Sequence, residues 1–431
     1  MAILLHRIHP SGDSCSSSTL EGEASVELNV PRNPVLDSAQ FITEGTNFVT
    51  INEPGLKSAA RFIRSKILYS AYTPCTWKTH ALHICPIDEG TDTEENVEAR
   101  RALVLNWIFL ISSLNFSFWS EKNEDERYGV DWYERWEAPR GGTERWTGYW
   151  SLVAAINRAL DEGIPFTDPA FYSCEKRCPD ELIRHIFRPS AQSQEEIPLL
   201  EQRIRILREN GSILCQRFNG SFGGLLKAFH RIHNGEGTAL DLVQVVTDTF
   251  PSFRDESSFQ GRKVLLWKRA QILVAEIWAA FHPPVTLDNT LPTSPHPIFP
   301  GHRGPSIYQL TMFADYRLPQ ILHHLNVLNY SPELMKLLHD GTPLAHGCAE
   351  EISLRGVSIL AVEKVRKEII RLDEEDGRRL ASIEVSSVLI DFYLWDLAKR
   401  VECGEEVIDG RGVELNSGPV VPVHRTRSIW Y

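Results

Sequence analysis

Hydrophobic positions along the chain recur mostly at helical spacing. Between residues 56 and 72 the apolar residues fall three and four positions apart, which predicts an amphipathic helix. The same spacing gives residues 96–111 a wide apolar face. Signals typical of strands are few, so the pattern predicts a mainly α, multi-helix globular fold with a small β element. Further helical patterns cover residues 149–160, 179–187, 197–217, 222–232, 237–249, 261–281, 332–340, 349–373 and 384–400.

Several segments interrupt this helical pattern. Residues 1–36 are rich in Ser, Glu and Pro and show no helical period, which predicts a flexible N-terminal tail. Residues 121–146 are polar and contain a Gly-Gly pair, which indicates a loop or hairpin, and residues 282–305 form a Pro-rich loop. The aromatic stretch 115–120 indicates a strand or an extended loop. We therefore expect one domain over residues 37–431, with inserts at 121–146 and 282–305.

The overall charge narrows the range of partners. Of the 431 residues 42% are hydrophobic and 24% are charged, as in an ordinary globular protein, but the formal net charge is -12. Proteins that bind a nucleic-acid backbone usually carry a basic face, so the acidic total disfavours a polymeric nucleic-acid partner. The first apolar run is too short for a signal peptide, and no stretch is long enough to span a membrane. We expect a cytoplasmic monomer without a membrane partner.

The familiar sequence motifs of metal and cofactor enzymes are missing. The eight Cys residues form no CxxC pair, which favours reduced thiols over a disulfide or zinc framework. No HExxH, GxxxxGK[ST], strand-linked GxGxxG or GxSxG is present. We therefore expect neither a metal nor an organic cofactor.

Two stretches place carboxylates among apolar and aromatic residues. In MFADYRLPQ (312–320), Asp315 precedes a helical pattern, so it either caps a helix or lines a dry pocket where its charge acts strongly. In VLIDFYLWDLAKR (388–400), Asp391 and Asp396 lie about 140° apart around a helix and cannot share one narrow face. They are either surface residues of an amphipathic helix or, with the aromatic residues beside them, hold a flat ligand.

A few other polar residues are ambiguous by sequence alone. Lys268, in WKRAQILVAEIW, either faces a phosphate, extends its ammonium group to solvent while its stem stays buried, or pairs with a carboxylate. Trp150, Asn157 and Arg158 either touch a ligand or pack in the core, and core packing is the more common role. His83 taken alone is more often structural than functional. Composition and motifs therefore fit a metal-free hydrolase of a flat ligand, and equally a binding module.

Eight stretches taken together, in this order, resemble the queuosine salvage protein family, the queuosine 5'-phosphate N-glycosylase/hydrolases. Each stretch is moderately specific, their common order is highly specific, and the resemblance covers most of residues 40–431. The stretches are NWIFLISSLNFSFWS (106–120), GYWSLVAAINRALDEGIPFTDPAFY (148–172), IPLLEQRIRILRENGSILCQRFNGSF (197–222), FPSFRDESSFQGRKVLLWKRAQILVAEIW (250–278), LTMFADYRLPQILHHLNVLNYSPEL (310–334), EISLRGVSILAVE (351–363), LIDFYLWDLAK (389–399) and HRTRSIWY (424–431).

The resemblance implies a helical fold related to the helix-hairpin-helix DNA glycosylases. It also implies that residues 37–431 are a queuosine salvage glycosylase domain. The implied reaction hydrolyses queuosine 5'-monophosphate to queuine and ribose 5-phosphate, without a metal or organic cofactor, for queuine salvage in tRNA modification.

The resemblance also implies a set of site residues. Asp315 matches the family's catalytic aspartate, and Phe313 and Ala314 match base-contacting positions beside it. Asp391, Phe392 and Asp396 match a base-recognition motif whose middle position is often Tyr, so Phe392 keeps a stacking face but lacks a hydroxyl. His83 matches a base-contacting histidine in a W-K-A-L-H context. Two extra residues, Thr79 and His80, interrupt that context here, which leaves His80 as the alternative.

The chemistry of this reaction suggests a role for each group. Asp315 would stabilise or attack the oxocarbenium-like sugar, as carboxylates do in glycosidases. A 7-deazaguanine has no N7 to protonate, so Asp391 and Asp396 are expected to bind the base's other polar groups or the side-chain ammonium. Lys268 is the first choice as the hydrogen-bond donor that binds the 5'-phosphate. The other candidates for the phosphate are Arg317, Arg425 and Arg427.

Three rival functions remain compatible with the sequence. A glycosylase acting on intact nucleic acid would flip a base from the polymer and would show a basic groove. A non-catalytic binding module would hold a modified nucleobase without turnover. A plain helical scaffold would show internal repeats, and none is visible.

Overall fold

The computed structural model of the chain describes residues 32–69, 72–87, 92–133, 142–284, 295–377, 385–408, 410, 412–416 and 419–431. Most of these residues are helical, which confirms the mainly α prediction. The helices are α1 (Pro34–Gly45), α2 (Glu53–Tyr69), α3 (Glu94–Leu114), α4 (Tyr149–Asp161), α5 (Pro169–Tyr172), α6 (Asp180–Ile186), α7 (Leu200–Arg217), α8 (Phe222–Ile232), α9 (Ala239–Thr249), α10 (Lys268–Ala280), α11 (Arg317–His324), α12 (Pro332–His339), α13 (Ala349–Glu375) and α14 (Ser387–Glu402).

The strands form antiparallel pairs rather than one large sheet. They are β1 (Val49–Ile51), β2 (Gly129–Tyr133), β3 (Thr143–Thr147), β4 (Glu256–Phe259), β5 (Arg262–Leu265) and β6 (Leu328–Tyr330). β1 pairs with β6 so that Thr50 lies opposite Asn329, β2 pairs with β3, and β4 pairs with β5. β2–β3 confirms the hairpin interpretation of 121–146, of which residues 134–141 lie outside the described residues.

Two helices, α13 and α10, organise the core of the unit that runs from Asn33 to Tyr431. α13 packs against α1, α2 and α14, and α10 packs against α3 and α9. Every residue of α10 is buried, so its polar side chains must find partners inside the protein. Arg269 donates to the carbonyl oxygens of Ser113 and Ser252, and Gln271 binds Asn33 and Thr311. The two remaining charged residues of α10, Lys268 and Glu276, line a cavity.

The helix predicted over residues 261–281 begins later than expected. Residues Arg262–Leu265 form β5, and α10 starts at Lys268. Gln260 and Gly261 both have positive φ, 47° and 78°, as the two central residues of a tight hairpin turn do. That turn connects β4 to β5, so hairpin geometry overrides the helical spacing of the first residues.

The borders of the predicted tail and loops also differ in places. α1 begins at Pro34, inside the segment 1–36 assigned to a flexible tail, and Val35 is fully buried. Residues 1–31, and residues 285–294 of the Pro-rich insert 282–305, lie outside the described residues. The stretch 115–120 is an extended loop that joins no ladder. The cysteines within the described ranges are free thiols.

Candidate active site

One cavity of about 400 Å³ gathers most of the residues singled out from the sequence. Its walls come from the 3-10 turn Pro74–Thr79 and the residues after it, the start of α4, one face of α10, the loop before α11, and α14. Tyr431 also lines it. The cavity therefore lies where chain segments from opposite ends of the sequence meet.

Asp315 lies in this cavity at the start of α11. Its side chain is 9% exposed, and its Oδ1 accepts hydrogen bonds from the backbone N–H groups of Arg317 at 2.8 Å and Leu318 at 3.0 Å. The positive end of the α11 dipole also favours a negative charge at this position. The two alternatives raised for Asp315 therefore hold together, because it both caps a helix and lines a buried pocket.

Lys268 faces the same part of the cavity from the first turn of α10. It is 4% exposed, and its ammonium forms no ion pair at salt-bridge distance among the described residues. Burial lowers the pKa of Lys268 to about 8, although the negative charge of Asp315 opposes that decrease. Trp267, just before it, has a φ of 47°, a strained backbone conformation for a residue with a large side chain.

A buried ion pair connects the segments that carry Lys268 and Asp315. Arg355 donates to both carboxylate oxygens of Asp255, and its Nε donates to the carbonyl oxygen of Ala314 at 3.2 Å. Asp255 also accepts from the backbone N–H of Lys268 at 3.3 Å. Because the Asp255–Arg355 pair contacts both segments, it fixes the start of α10 relative to the loop that ends at Asp315.

The other three candidate phosphate ligands are less available than Lys268. Arg317 lines the cavity, but its guanidinium forms a two-bond ion pair with Glu402 at 2.8 and 3.3 Å. Arg425 and Arg427 do not line the cavity. Arg427 stacks over Trp119, with its guanidinium carbon 3.7 Å from the ring centroid.

Asp391 projects into the cavity from α14. Its side chain is 4% exposed, and its Oδ2 accepts a hydrogen bond from the backbone N–H of Phe313 at 2.7 Å. Burial raises the pKa of Asp391 well above its usual value, and the nearby charge of Asp315 raises it further. Asp391 is therefore a buried carboxyl group, not the surface residue of the alternative interpretation.

Asp396 lines the cavity five residues further along α14. Its Oδ2 accepts from the hydroxyl of Tyr72 at 2.5 Å, and burial raises the pKa of Asp396. Phe392, between the two acids, is partly buried, and its ring centroid lies 6.1 Å from that of Phe313. The phenyl rings and the carboxyl groups thus line the same cavity, which agrees with the ligand-binding alternative for this stretch.

Both candidate histidines line the cavity, so their positions leave the two alignments open. His83 stacks on Trp77 with centroids 4.0 Å apart, and its Nδ1 donates to the carbonyl oxygen of Trp77 at 2.7 Å. Burial lowers the pKa of His83 to about 3, so the ring is neutral with its Nε2 free to accept. His80 stacks on Trp150 at 3.5 Å, and burial lowers its pKa to about 4.

Three residues considered as possible ligand contacts, Ala314, Asn157 and Arg158, do not line the cavity. Ala314 is not among the cavity-lining residues, and its carbonyl oxygen faces Arg355, so contact with a base stays a prediction. Asn157 binds Trp107 and the backbone of Leu82 in the core. Arg158 donates to backbone carbonyl groups, also away from the cavity.

The cavity also includes residues that carried no assigned role in the sequence analysis. Trp150, more simply explained as a core residue, lines it together with Tyr149. Glu276 lines it from α10 and is 8% exposed. Glu276 could have been identified from its spacing of eight residues from Lys268, because that spacing places both side chains on one face of a helix.

Two further properties of the described residues bear on function. None of the helices they form is both long and apolar enough to cross a membrane. They also contain no group of three or more His, Cys, Asp or Glu side chains with the geometry of a metal site.

Comparisons with known proteins agree on one family. A family model described as "Queuosine salvage protein" matches residues 95–431. The chain is 38% identical over 406 residues to a Schizosaccharomyces pombe protein named queuosine 5'-phosphate N-glycosylase/hydrolase, which covers 92% of this chain and 99% of that protein. A Mus musculus protein of the same name is 37% identical over 400 residues, covering 92% of this chain and 98% of its own. A Sphaerobacter thermophilus protein of that name is 34% identical over 334 residues, covering 78% and 83%.

Proposed function

The chain belongs to the queuosine salvage protein family, and we propose that it hydrolyses the N-glycosidic bond of queuosine 5'-monophosphate, releasing queuine and ribose 5-phosphate. Queuine so released would serve tRNA modification. The observation that carries the proposal is the buried cavity in which Asp315, Lys268 and Asp391 meet. It offers an anion for a cationic sugar, a cation for a phosphate and an acid for a leaving base.

Asp315 would act on the sugar. As the bond between C1' and the base nitrogen breaks, the electron pair leaves with the base and positive charge develops on the ribose. A carboxylate held in a low-dielectric site stabilises that charge strongly, because little water screens it. Water then adds to C1', and its proton passes to the departing base or to a carboxylate. The chemistry is the same overall if Asp315 first attacks C1' and water displaces it.

Asp391 would act on the leaving base. Carbon replaces N7 in a 7-deazaguanine, so the base must be neutralised at another atom. The raised pKa of Asp391 favours its protonated form, which can donate a proton to the base as the C1'–N bond breaks. The proton released by the attacking water would restore it. With Asp315 as the anion and Asp391 as the acid, the two residues would correspond to the pair of carboxyl groups that glycosidases use.

The remaining contacts would orient the substrate. Phe313 and Phe392 would pack on the base, His83 or His80 would accept a hydrogen bond from it, and Asp396 would bind its polar groups, with Ala314 as a further proposed contact. Lys268 would bind the 5'-phosphate, supported by its buried ammonium that lacks an ion-pair partner in the described ranges. Arg317, Arg425 and Arg427 remain weaker candidates, since each guanidinium already has other contacts.

Several properties complete the proposal. The fold would be related to the helix-hairpin-helix DNA glycosylases, which its mainly helical architecture supports. The enzyme would be a cytoplasmic monomer that uses neither a metal nor an organic cofactor and does not act on polymeric nucleic acid. Light scattering with and without tRNA would test whether the enzyme is a monomer and whether it binds polymeric nucleic acid.

The test is queuine release, measured by mass spectrometry. Purified protein would be incubated with queuosine 5'-monophosphate and a chelator, beside the Asp315→Asn variant. We expect release by the wild type and little by the variant. Tight queuine binding without any release by folded wild-type protein would contradict hydrolysis and favour the non-catalytic binding module.

A further inference from the structure

One face of α10 presents an ordered series of side chains to the cavity. Lys268, Ile272 and Glu276 all line it, and they are spaced four residues apart. At a rise of 1.5 Å per residue, Lys268 and Glu276 are separated by about 12 Å along the helix axis. The cavity wall is therefore cationic at one end, apolar in the middle and acidic at the other end.

Glu276 is a buried acid whose partners are uncharged. It is 8% exposed and is bound by the Tyr149 hydroxyl at 3.2 Å and the Ser112 hydroxyl at 3.4 Å. Within the part of the chain that the structure describes, no Lys, Arg or His forms an ion pair with it. Burial raises the pKa of Glu276 to about 7. Acidic side chains are rarely buried without a cation, so this one is well placed to receive its cation from a ligand.

Tyr149, which binds this carboxyl group, belongs to a cluster of aromatic side chains that line the cavity. The Tyr149 ring centroid lies 4.8 Å from that of Trp150 and 6.0 Å from that of Trp395, and all three side chains line the cavity. The faces of such rings attract cations, most strongly where water is excluded. A carboxylate combined with aromatic faces is suited to an ammonium group and poorly suited to an anion.

We propose that Glu276, with Tyr149 and Trp150, forms a subsite for an ammonium group carried by the leaving base. This inference rests on the proposed function, and it explains how the enzyme would choose its substrate. Queuine carries a secondary amine on a methylene group at the carbon that replaces N7. With the phosphate at Lys268, the amine would lie toward Glu276, while an ordinary guanine nucleotide would leave this acid unpaired. The subsite would thus select against guanine nucleotides, which lack the amine.

The test compares substrates with and without the amine. The first is queuosine 5'-monophosphate, and the second is 7-methyl-7-deazaguanosine 5'-monophosphate, which keeps the ring system but has no amine. For Glu276→Gln, we expect the ratio of kcat/KM for the first over the second to fall about 10- to 100-fold, the size of one lost charge-assisted hydrogen bond. The exchange preserves the side-chain volume and removes a buried charge, so the fold should persist.

A matched control is available on α13. Glu368 is also 8% exposed but lies outside the cavity and pairs with Arg371. Glu368→Gln should leave the substrate ratio unchanged. Equal losses on both substrates in Glu276→Gln would overturn the subsite and assign Glu276 to the chemistry or to the fold.

Failure of the proposed function would be visible separately. If the wild type released base from neither nucleotide, calorimetric binding of queuine and of 7-methyl-7-deazaguanine would still test Glu276. A wild-type preference for queuine that Glu276→Gln abolishes would support the subsite in a binding protein. Equal affinities of the wild type for the two bases would overturn it.

Discussion

The backbone N–H of Phe313 donates a 2.7 Å hydrogen bond to Asp391, across 78 residues of sequence. Phe313 lies two residues before Asp315, so this bond ties the acid of α14 to the loop that carries the second acid. It also occupies one carboxyl oxygen of Asp391 and leaves the other to face the cavity. This hydrogen bond therefore holds the Asp391 carboxyl group beside the loop that carries Asp315.

Removing the charge of Asp315 should abolish most of the activity without unfolding α11. Asn keeps an oxygen that can accept from the N–H groups of Arg317 and Leu318, and Asn is a good helix cap. We expect kcat of Asp315→Asn to fall by a factor of about 10² to 10³ or more, because the electrostatic stabilisation of the sugar cation is lost. The melting temperature serves as the control. A large drop in Tm with normal kcat would contradict this assignment.

Asp391→Asn should alter both the rate and its dependence on pH. The amide cannot transfer a proton, so kcat should decrease by about 10² to 10⁴. In the wild type, a group with a raised pKa supplies a proton only below that pKa, so kcat should decline as the pH rises through it. Rates measured from pH 5 to 10 should lose this alkaline limb in the variant. An unchanged profile would assign the proton to another group.

Lys268→Ala should weaken the binding of the nucleotide more than that of the nucleoside. We expect KM for the 5'-monophosphate to rise about 10-fold or more, with a smaller change for queuosine itself, because a charge-assisted contact to the phosphate is lost. Since the pKa of Lys268 is about 8, the wild-type KM for the monophosphate should increase above that pH, where the amine becomes neutral. Equal effects on both substrates would exclude a phosphate contact.

Parallel Ala variants of His83 and His80 should decide which ring contacts the base. His83 has its Nδ1 bound to the Trp77 carbonyl, so a neutral Nε2 can accept from a base N–H. We expect His83→Ala to raise the Kd for queuine about 5- to 30-fold, the cost of one hydrogen bond with its partner left unpaired. His80→Ala should have less effect in the same titration. The reverse order would support the alternative alignment.

The ion pair between Arg317 and Glu402 should contribute to stability in a pH-dependent manner. Its geometry is bidentate, but Glu402 is 39% exposed, so Glu402→Gln should lower the free energy of unfolding by only about 1 kcal/mol near pH 7. Arg317 and Lys399 lower the pKa of Glu402 to about 2. The stability difference should therefore persist above about pH 4.5 and shrink as the pH falls towards 2. Urea denaturation at several pH values measures it.

The sequence predicted the helices well because long apolar stripes at helical spacing are strong local signals. It missed α1, a helix of only twelve residues, Pro34–Gly45, that begins inside the segment 1–36 assigned to a flexible tail. It also extended α10 over β5, because the positive φ of Gln260 and Gly261 is a property of a turn and not of hydrophobic spacing.

The site was predicted in part, and the reason is again physical. The acids of α14 and of the short loop before α11 could be identified from neighbouring residues and from family motifs. Tyr72 could not, because it meets Asp396 across 324 residues of sequence. The engagement of Arg317 by Glu402 was hidden for the same reason, so its availability as a phosphate ligand could not be judged without the fold.

The capping of α11 by Asp315 has a consequence for catalysis itself. Two backbone N–H groups fix the carboxylate in place, so its orientation is established when the protein folds. In the proposed reaction, little reorganisation of this group would then be needed as charge appears on the sugar, and such preorganisation is a main source of enzymatic rate enhancement. Local fraying of the first turn of α11 would release the carboxylate. The rate of the glycosidic step would then be coupled to the stability of a single helical turn.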